Sequence, residues 1–557
     1  MRTWIARCAC LAAIALAPSR LRAEEPAAPV AAPKAPPNAE RLEWWRAARF
    51  GMFVHWGPVS LKGTEIGWSR GAQVPIEEYD NLYKRFNPVL FDAGEWVGLA
   101  KDAGMKYLVF TTKHHDGFCM WDTKQTDYNI LRSPFARDVV GELAAACRKH
   151  GIAFGTYHSV CDWHHPDFPL GSPGGRVRKP SPNLDRYTEY LRAQVAELVQ
   201  NYGPLLILWF DVPQEFDAKR GQALVDYTRS LQPDIIVNDR AGVPGDYSTP
   251  EQRIGNFNMD RPWETCMTIC EQWAWKPGDR LKSFAECIGA LARCAGGDGN
   301  LLLNVGPMPD GRIEPRQAER LREMGAWLAK YGESIYGTRG GPYRPTSAVA
   351  STRRGNAIFL HVLRWPEGEL RLPPLPKKVV ACSLLSGGEV EFRETGDALA
   401  IRVSPTDRDP ADTVVRLDLD GPALEIPPID TRPKVQAAAS NVYQRMPDFG
   451  PEAAFDGDLG SRWATDAGTH KAWISIEFER PKTIRGVRIR EAYPGRVRKF
   501  ELQAKHGTEW KAFASGEGIG EDFSKEFPPV AARAVRLEIL EATEGPTIWE
   551  IEWLEAK

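Results

Sequence analysis

Leu205-Leu206-Ile207-Leu208-Trp209-Phe210-Asp211 is an unbroken apolar run that ends in one carboxylate. Such a run reads as a strand buried on both faces, as in a parallel sheet covered by helices. Burying an unpaired charge is costly, so Asp211 needs a partner or a task. In a barrel of parallel strands, catalytic groups sit at the carboxyl ends of the strands. The plainer readings of Asp211 are a helix cap or one half of an ion pair with Arg.

The same pattern recurs. Phe50-Gly51-Met52-Phe53-Val54 leads into His55-Trp56-Gly57, and Tyr107-Leu108-Val109-Phe110 leads through two Thr into Lys113-His114-His115-Asp116-Gly117. Ile152 to Thr156 leads into Tyr157-His158, Ile235-Ile236-Val237 into Asn238-Asp239-Arg240, and Leu301-Leu302-Leu303 into Asn304-Val305-Gly306. Helical stripes lie between them: Leu184, Tyr187, Leu191, Leu198 and Tyr202, closed by Gly203, and Leu321, Met324 and Leu328 behind Pro315. Strand-then-helix alternation over residues 40–340 predicts a (β/α)8-like TIM barrel, of which about six strands are plain. A doubly wound open sheet is the alternative, but no Gly-rich phosphate loop follows the first strand.

A chain of 557 residues implies several domains, and a net charge of −2 with mixed signs gives no electrostatic case for nucleic acid. Arg2 and Arg7 precede an apolar stretch from Cys8 to Ala17. With the short segment up to Ala23 this reads as a secretory signal peptide over residues 1–23, predicting export to the periplasm or medium. The stretch is too short to span a bilayer, and a retained anchor is the alternative. Residues 24–39, rich in Ala and Pro, read as a linker. Of the ten cysteines, the eight beyond the leader show no staple-like spacing and are expected to be buried thiols. From about residue 341 to 428 the pattern turns to short strands, at 357–362, 378–385, 390–393, 398–403 and 414–419, separated by Gly-, Pro- and Asp-rich turns, as in a β-sandwich. Residues 429–433 read as a second linker, and 434–557 as a separate all-β unit.

Among ten histidines, six cluster at or after strand ends: His55, His114, His115, His158, His164 and His165. A metal site is one reading, with Cys161 among the ligands. Against it, neighbouring His on a strand point to opposite faces, and no HExxH or paired CxxC occurs. No G-x-S-x-G elbow supports a Ser nucleophile. Carboxylates remain. Two of them across a glycosidic bond make a glycosidase, and Trp56, Trp68, Trp121, Trp163, Trp209, Trp273 and Trp275 offer flat faces suited to sugar rings. Asp211 is the candidate nucleophile. Its partner belongs on the long loop from Ala241 to Trp275, which holds Asp246, Glu251, Asp260, Glu264 and Glu271.

Phe50-Gly-Met-Phe-Val-His-Trp-Gly57, Lys113-His-His-Asp-Gly-Phe118, Leu208-Trp-Phe-Asp211, Trp263-Glu-Thr-Cys266 and Asn300-Leu-Leu-Leu-Asn-Val-Gly-Pro307 strongly resemble glycoside hydrolase family 29, the α-L-fucosidases, over roughly residues 40–425. The resemblance implies a barrel followed by a small β-sandwich, and retaining hydrolysis through a covalent fucosyl-enzyme on Asp211. It implies that His55, Glu65, His114, His115, Tyr157, Trp209 and Arg240 hold the fucose ring. Trp68 joins this substrate-binding set, and Trp275 supplies part of the wall for the C5 methyl. Gly245-Asp-Tyr-Ser-Thr-Pro-Glu251 resembles the loop carrying the acid/base, which points to Glu251, with Glu264 as rival. Val212 departs from the Gly that many relatives have there. Gly63-Thr-Glu-Ile-Gly-Trp68 and the Trp263 to Cys270 segment resemble the branch preferring α-1,3/1,4-linked fucose on glycans. Ala454-Phe-Asp-Gly-Asp-Leu-Gly-Ser-Arg-Trp-Ala464, Trp473-Ile-Ser-Ile-Glu-Phe478 and Ile548-Trp-Glu-Ile-Glu-Trp553 resemble a discoidin-type (coagulation-factor C-type) jelly roll, a common carbohydrate-binding module. Its Asp456-Gly-Asp458 turn resembles that family's structural calcium loop. No cofactor is expected for catalysis. The partners implied are fucosylated oligosaccharides or glycoproteins. The different-class alternative is a catalytically inactive, lectin-like secreted protein.

Overall fold

The computed structural model describes residues 38–171 and 175–555. The leader and most of the first linker, up to residue 37, lie outside the described residues. The first sheet is parallel and seven-stranded. Its strands are β1 Phe50–Val54, β2 Tyr107–Lys113, β3 Ala153–Ser159, β4 Ile207–Asp211, β5 Ile236–Val237, β6 Glu264–Thr268 and β7 Asn300–Val305, in the order β5-β4-β3-β2-β1-β7-β6. The unbroken apolar runs have a simple cause. Alternate side chains face opposite ways, and both faces are buried. Phe53, Tyr107, Val109, Tyr157, Ile207, Trp209 and Leu302 pack together on one face, while Met52, Val54, Leu108, Phe110, Leu208 and Phe210 pack with the helices on the other.

The sheet curls as the barrel reading requires, with two departures from eight regular strand-helix units. Edge strands β5 and β6 are joined only through residues 247–251, by the single parallel bridges Asn238↔Tyr247, Ser248↔Trp263 and Glu251↔Cys266. No helix precedes that segment, because Gly242, Pro244 and Gly245 break the intervening chain. Glu251 thus stands at the carboxyl end of a strand-like link, on the rim that also carries Asp211.

The long helices are α1 Ala39–Ala48, α2 Ala93–Asp102, α3 Val139–His150, α4 Leu184–Tyr202, α5 Ala218–Leu231, α6 Phe284–Gly296 and α7 Pro315–Tyr331. Asp92, Asp138, Asn183, Asp217 and Ser283 cap five of them by accepting a first-turn amide, each typically contributing about 1 kcal/mol. Gly203 does end α4, but not through a left-handed turn: its φ is −68°. Glycine is needed for room, since a Cβ there would meet the Val199 carbonyl oxygen at 2.4 Å. At the foot of the sheet Asp298 accepts from Arg46, Arg49 and Arg339 at 2.8, 2.6 and 2.7 Å, tying α1 and the chain after α7 to the start of β7.

An antiparallel five-stranded sheet and a three-stranded sheet follow, sharing one apolar core around Ile358, Leu360, Ile401 and Leu417. The short strand signals match the observed strands Ala357–Val362, Val379–Leu384, Val390–Thr395, Ala398–Val403 and Thr413–Leu419; Val349–Arg354 and Leu370–Leu372 are additional. The last unit is an antiparallel seven-stranded sheet with its own core, and its Ala472–Glu491 and Phe523–Ala542 strands bend at register shifts.

Candidate active site

The carboxyl ends of the parallel strands surround a small cavity of about 80 Å³. Phe53, His55, Trp68, His114, His115, Tyr157, Trp209, Asp211, Val212, Arg240, Glu251, Cys266 and Trp273 line it. Asp211 closes β4 and is 8% exposed. One carboxyl oxygen accepts from the Tyr157 hydroxyl at 2.8 Å, and the other from Arg240 Nη1 at 3.0 Å and the Val212 amide at 2.9 Å. Burial pushes this carboxyl up. The Arg240 guanidinium and the hydrogen bonds from Arg240 and Tyr157 outweigh it and hold Asp211 below its ordinary value, hence ionised. Val212 adopts φ 45°, a left-handed conformation costly for a β-branched residue. The missing glycine therefore leaves strain immediately after Asp211.

Arg240 Nη1 also donates to Glu251 Oε2 at 2.8 Å. Two oxygens bound to one nitrogen at 3.0 and 2.8 Å lie no farther apart than those lengths together. Arg240 is itself fixed by the Thr249 hydroxyl at 2.7 Å and carbonyl at 2.9 Å, and its guanidinium lies 4.9 Å over the Trp209 ring. The Glu251 side chain is 42% exposed, in contrast to Asp211.

The histidines are neutral donors and acceptors. Burial, the largest influence on each, drives His55 down to about 3 and His115 to about 4, and lowers His114 well below its usual range. Asn304 Nδ2 donates to the Trp273 carbonyl at 2.8 Å, so its Oδ1 faces His55 Nδ1, 2.7 Å away. His55 is therefore protonated on Nδ1, which leaves Nε2 to accept. The Ser159 hydroxyl donates to the Cys161 carbonyl at 2.9 Å and so accepts from His115 Nδ1 at 2.7 Å. His115 Nε2 then stands 3.7 Å from Asp211. His114 and His115 do not diverge as expected for a strand. β2 ends at Lys113, and both rings line the cavity with centroids 3.9 Å apart. His158 faces away, beside Trp121 and Thr112, and His164 stacks on Tyr128. Among the described residues no three His, Cys, Asp or Glu side chains come together to hold a metal.

Three expected residues stand elsewhere. Glu264 opens β6 at the opposite end of the strand, is 0% exposed and accepts from the Tyr107 hydroxyl at 2.5 Å. Burial raises it to about 7. It lies inside the sheet and does not line the cavity. Glu65 uses its carboxylate on backbone amides, those of Trp273 at 2.9 Å, Ala274 at 3.1 Å and Ile66 at 3.0 Å. It shapes the wall without lining it. Trp275 is half-buried and off the cavity; Trp273 takes that wall, 4.8 Å from His55. Phe53, Val212 and Cys266 are cavity residues that the sequence reading does not assign to substrate, and Trp273 it names only among the tryptophans with faces suited to sugar rings. Phe53 is findable, because it is two residues before His55 and so shares its face.

A model of the alpha-L-fucosidase family matches residues 22–333. The chain belongs to the alpha-L-fucosidase family. An F5/8 type C domain model matches residues 436–553. Tissue alpha-L-fucosidase of Homo sapiens is 31% identical over 361 residues, covering 58% of this chain and 76% of the relative. Among solved structures, alpha-L-fucosidase isoenzyme 1 from Paenibacillus thiaminolyticus is similar at TM-score 0.63 and 34% identity, covering 69% of this chain and all (100%) of that one. An alpha-L-fucosidase from Bacteroides thetaiotaomicron, trapped as a covalent intermediate with 2-fluoro-fucosyl fluoride, is similar at TM-score 0.61 and 27% identity over 69% of this chain and 96% of that one.

In the F5/8 type C unit, Asp458 Oδ1 accepts from the Gly460 amide at 2.9 Å and the Ser347 amide at 2.7 Å. Asp456 accepts from the Asp458 amide and the Ser461 hydroxyl, at 2.9 and 2.8 Å. Asp458 thus also ties this unit to the β-sandwich through Ser347.

Proposed function

We propose that the chain is an exported retaining α-L-fucosidase that removes terminal α-L-fucose from glycans, with preference for α-1,3/1,4 linkages. The observation that carries this reading is the single guanidinium nitrogen of Arg240 bonded to both Asp211 and Glu251. It keeps one oxygen of each closer than the roughly 6.5–9.5 Å of inverting pairs, which supports a retaining pair, for which about 5–5.5 Å is usual. Asp211, ionised and fixed by Tyr157 and Arg240, attacks the anomeric carbon and forms the fucosyl-enzyme. Glu251, at the open side of the cavity, protonates the leaving oxygen and then takes a proton from the water that releases fucose. His55 and His115 offer neutral ring nitrogens to sugar hydroxyls. Trp209, Phe53 and Trp273 supply apolar faces for the methyl-bearing side. No helix of the described residues is long and apolar enough to cross a membrane.

The test is azide rescue. Glu251→Ala should lose most activity on fucosides with poor leaving groups, whereas on an activated aryl fucoside, whose departure needs no acid, azide should restore turnover and give the retained α-fucosyl azide. Glu264→Ala should show no rescue. Rescue of Glu264→Ala alone would reverse the assignment. An intact enzyme inactive on both aryl and Lewis-type fucosides would favour the lectin-like alternative.

A further inference from the structure

The cavity of about 80 Å³ is far below the roughly 300–1,000 Å³ that encloses drug-sized ligands. It is too small to enclose a disaccharide, so on the fucosidase reading the sugar that carried the fucose rests at the mouth. One lining aromatic is open there. Trp68 is 44% exposed, whereas Tyr157, Trp209 and Phe53 are each 1% exposed. An exposed tryptophan alone signifies little. This one is held in place. Its ring sits edge-on to Trp163 at 5.0 Å and to His115 at 5.5 Å. Trp163 is in turn fixed by a bond from its indole to Gln214 at 3.1 Å. The preceding Gly67, at φ 67°, donates its amide to Tyr79 at 2.8 Å, and a Cβ there would meet His114 Nδ1 at 2.7 Å. The backbone therefore cannot easily swing Trp68 away. Glu251, placed to protonate the leaving oxygen, is likewise an exposed lining residue.

We propose that Trp68 is the stacking platform for the leaving-group sugar, a pyranose such as N-acetylglucosamine bearing the fucose, and so sets the preference for oligosaccharides over simple fucosides. This rests on the fucosidase reading above. A flat indole suits the apolar face of a pyranose, and a face immobilised before binding loses little freedom on stacking. Binding energy from such a remote ring is used in the transition state and appears in kcat/KM.

The experiment compares two substrates in wild type, Trp68→Ala and Trp68→Phe. One is a Lewis-type fucosylated trisaccharide. The other is α-L-fucosyl fluoride, which has no leaving sugar. The ratio of their kcat/KM values should fall at least tenfold in Trp68→Ala and recover to within about threefold of wild type in Trp68→Phe. A ratio unchanged in Trp68→Ala, with both substrates slowed equally, would place Trp68 against the fucose itself and overturn the proposal. A ratio unchanged with neither substrate slowed would also overturn it. Failure of wild type to hydrolyse either substrate would instead overturn the fucosidase reading.

Discussion

Replacing Glu264 by Gln should make the protein more stable at alkaline pH. Glu264 is fully buried, and only one of its oxygens closes a hydrogen bond, from Tyr107. Trp45, Trp209 and Tyr247 face the same carboxyl, and among the described residues no cation pairs with it. Burial raises it from 4.5 to about 7. A raised acid holds its proton more tightly when folded. Its contribution is full below pH 4.5 and is lost as pH rises through about 7. At 1.36 kcal/mol per unit, the loss is about 3 kcal/mol. For a catalytic unit of roughly 300 residues, that is about 5 °C in Tm. The carboxamide in Glu264→Gln does not titrate. The Tm of Glu264→Gln minus that of wild type, measured by scanning calorimetry from about pH 4.5 to 8.5, should therefore climb by about 5 °C with pH. A difference that stays flat across this window would refute the assignment of a buried, raised, uncompensated carboxyl.

Arg240→Met should remove the largest influence that opposes the burial of Asp211, raise its carboxyl, and move the acid limb of the kcat/KM–pH profile to higher pH; an unmoved limb would show that Arg240 does not hold Asp211 ionised. Asp298→Asn strands three arginines at the foot of the sheet and should cost about 3–5 kcal/mol, read as a lowered unfolding midpoint in urea. With Asp298 depressed to about 2, wild type should also lose stability as pH falls from 3.8 through 2, a loss absent from the variant. Glu65→Ala releases the amides that place Trp273 and should raise KM at least tenfold with a smaller change in kcat, checked by steady-state kinetics on one substrate.

The parallel sheet is legible in the sequence because its strands are buried on both faces, so apolar runs such as 205–210 stand out against the loops. The strand-like link at 247–251 is not, since it makes single bridges at Tyr247, Ser248 and Glu251 and has no apolar run. Period-two alternation explains which side chains share the cavity: Phe53 with His55, and Trp209 with Asp211. It fails at His114-His115, where the chain has already left the strand. Glu264 and Glu251 lie on adjoining strands at opposite ends, and only chain direction separates them. Trp273 and Trp275 differ by loop geometry, set by the distant Glu65, which local sequence does not carry.

The central claim is that Asp211 bonds covalently to the sugar while Glu251 faces it. The most direct measurement is peptide mass mapping of the Glu251→Gln variant after treatment with 2-fluoro-fucosyl fluoride. A fluorofucosyl adduct on the peptide carrying Asp211, lost in Asp211→Ala, is the predicted result. An adduct on another carboxylate, or turnover by the intact enzyme to inverted fucose with no adduct, would contradict the account.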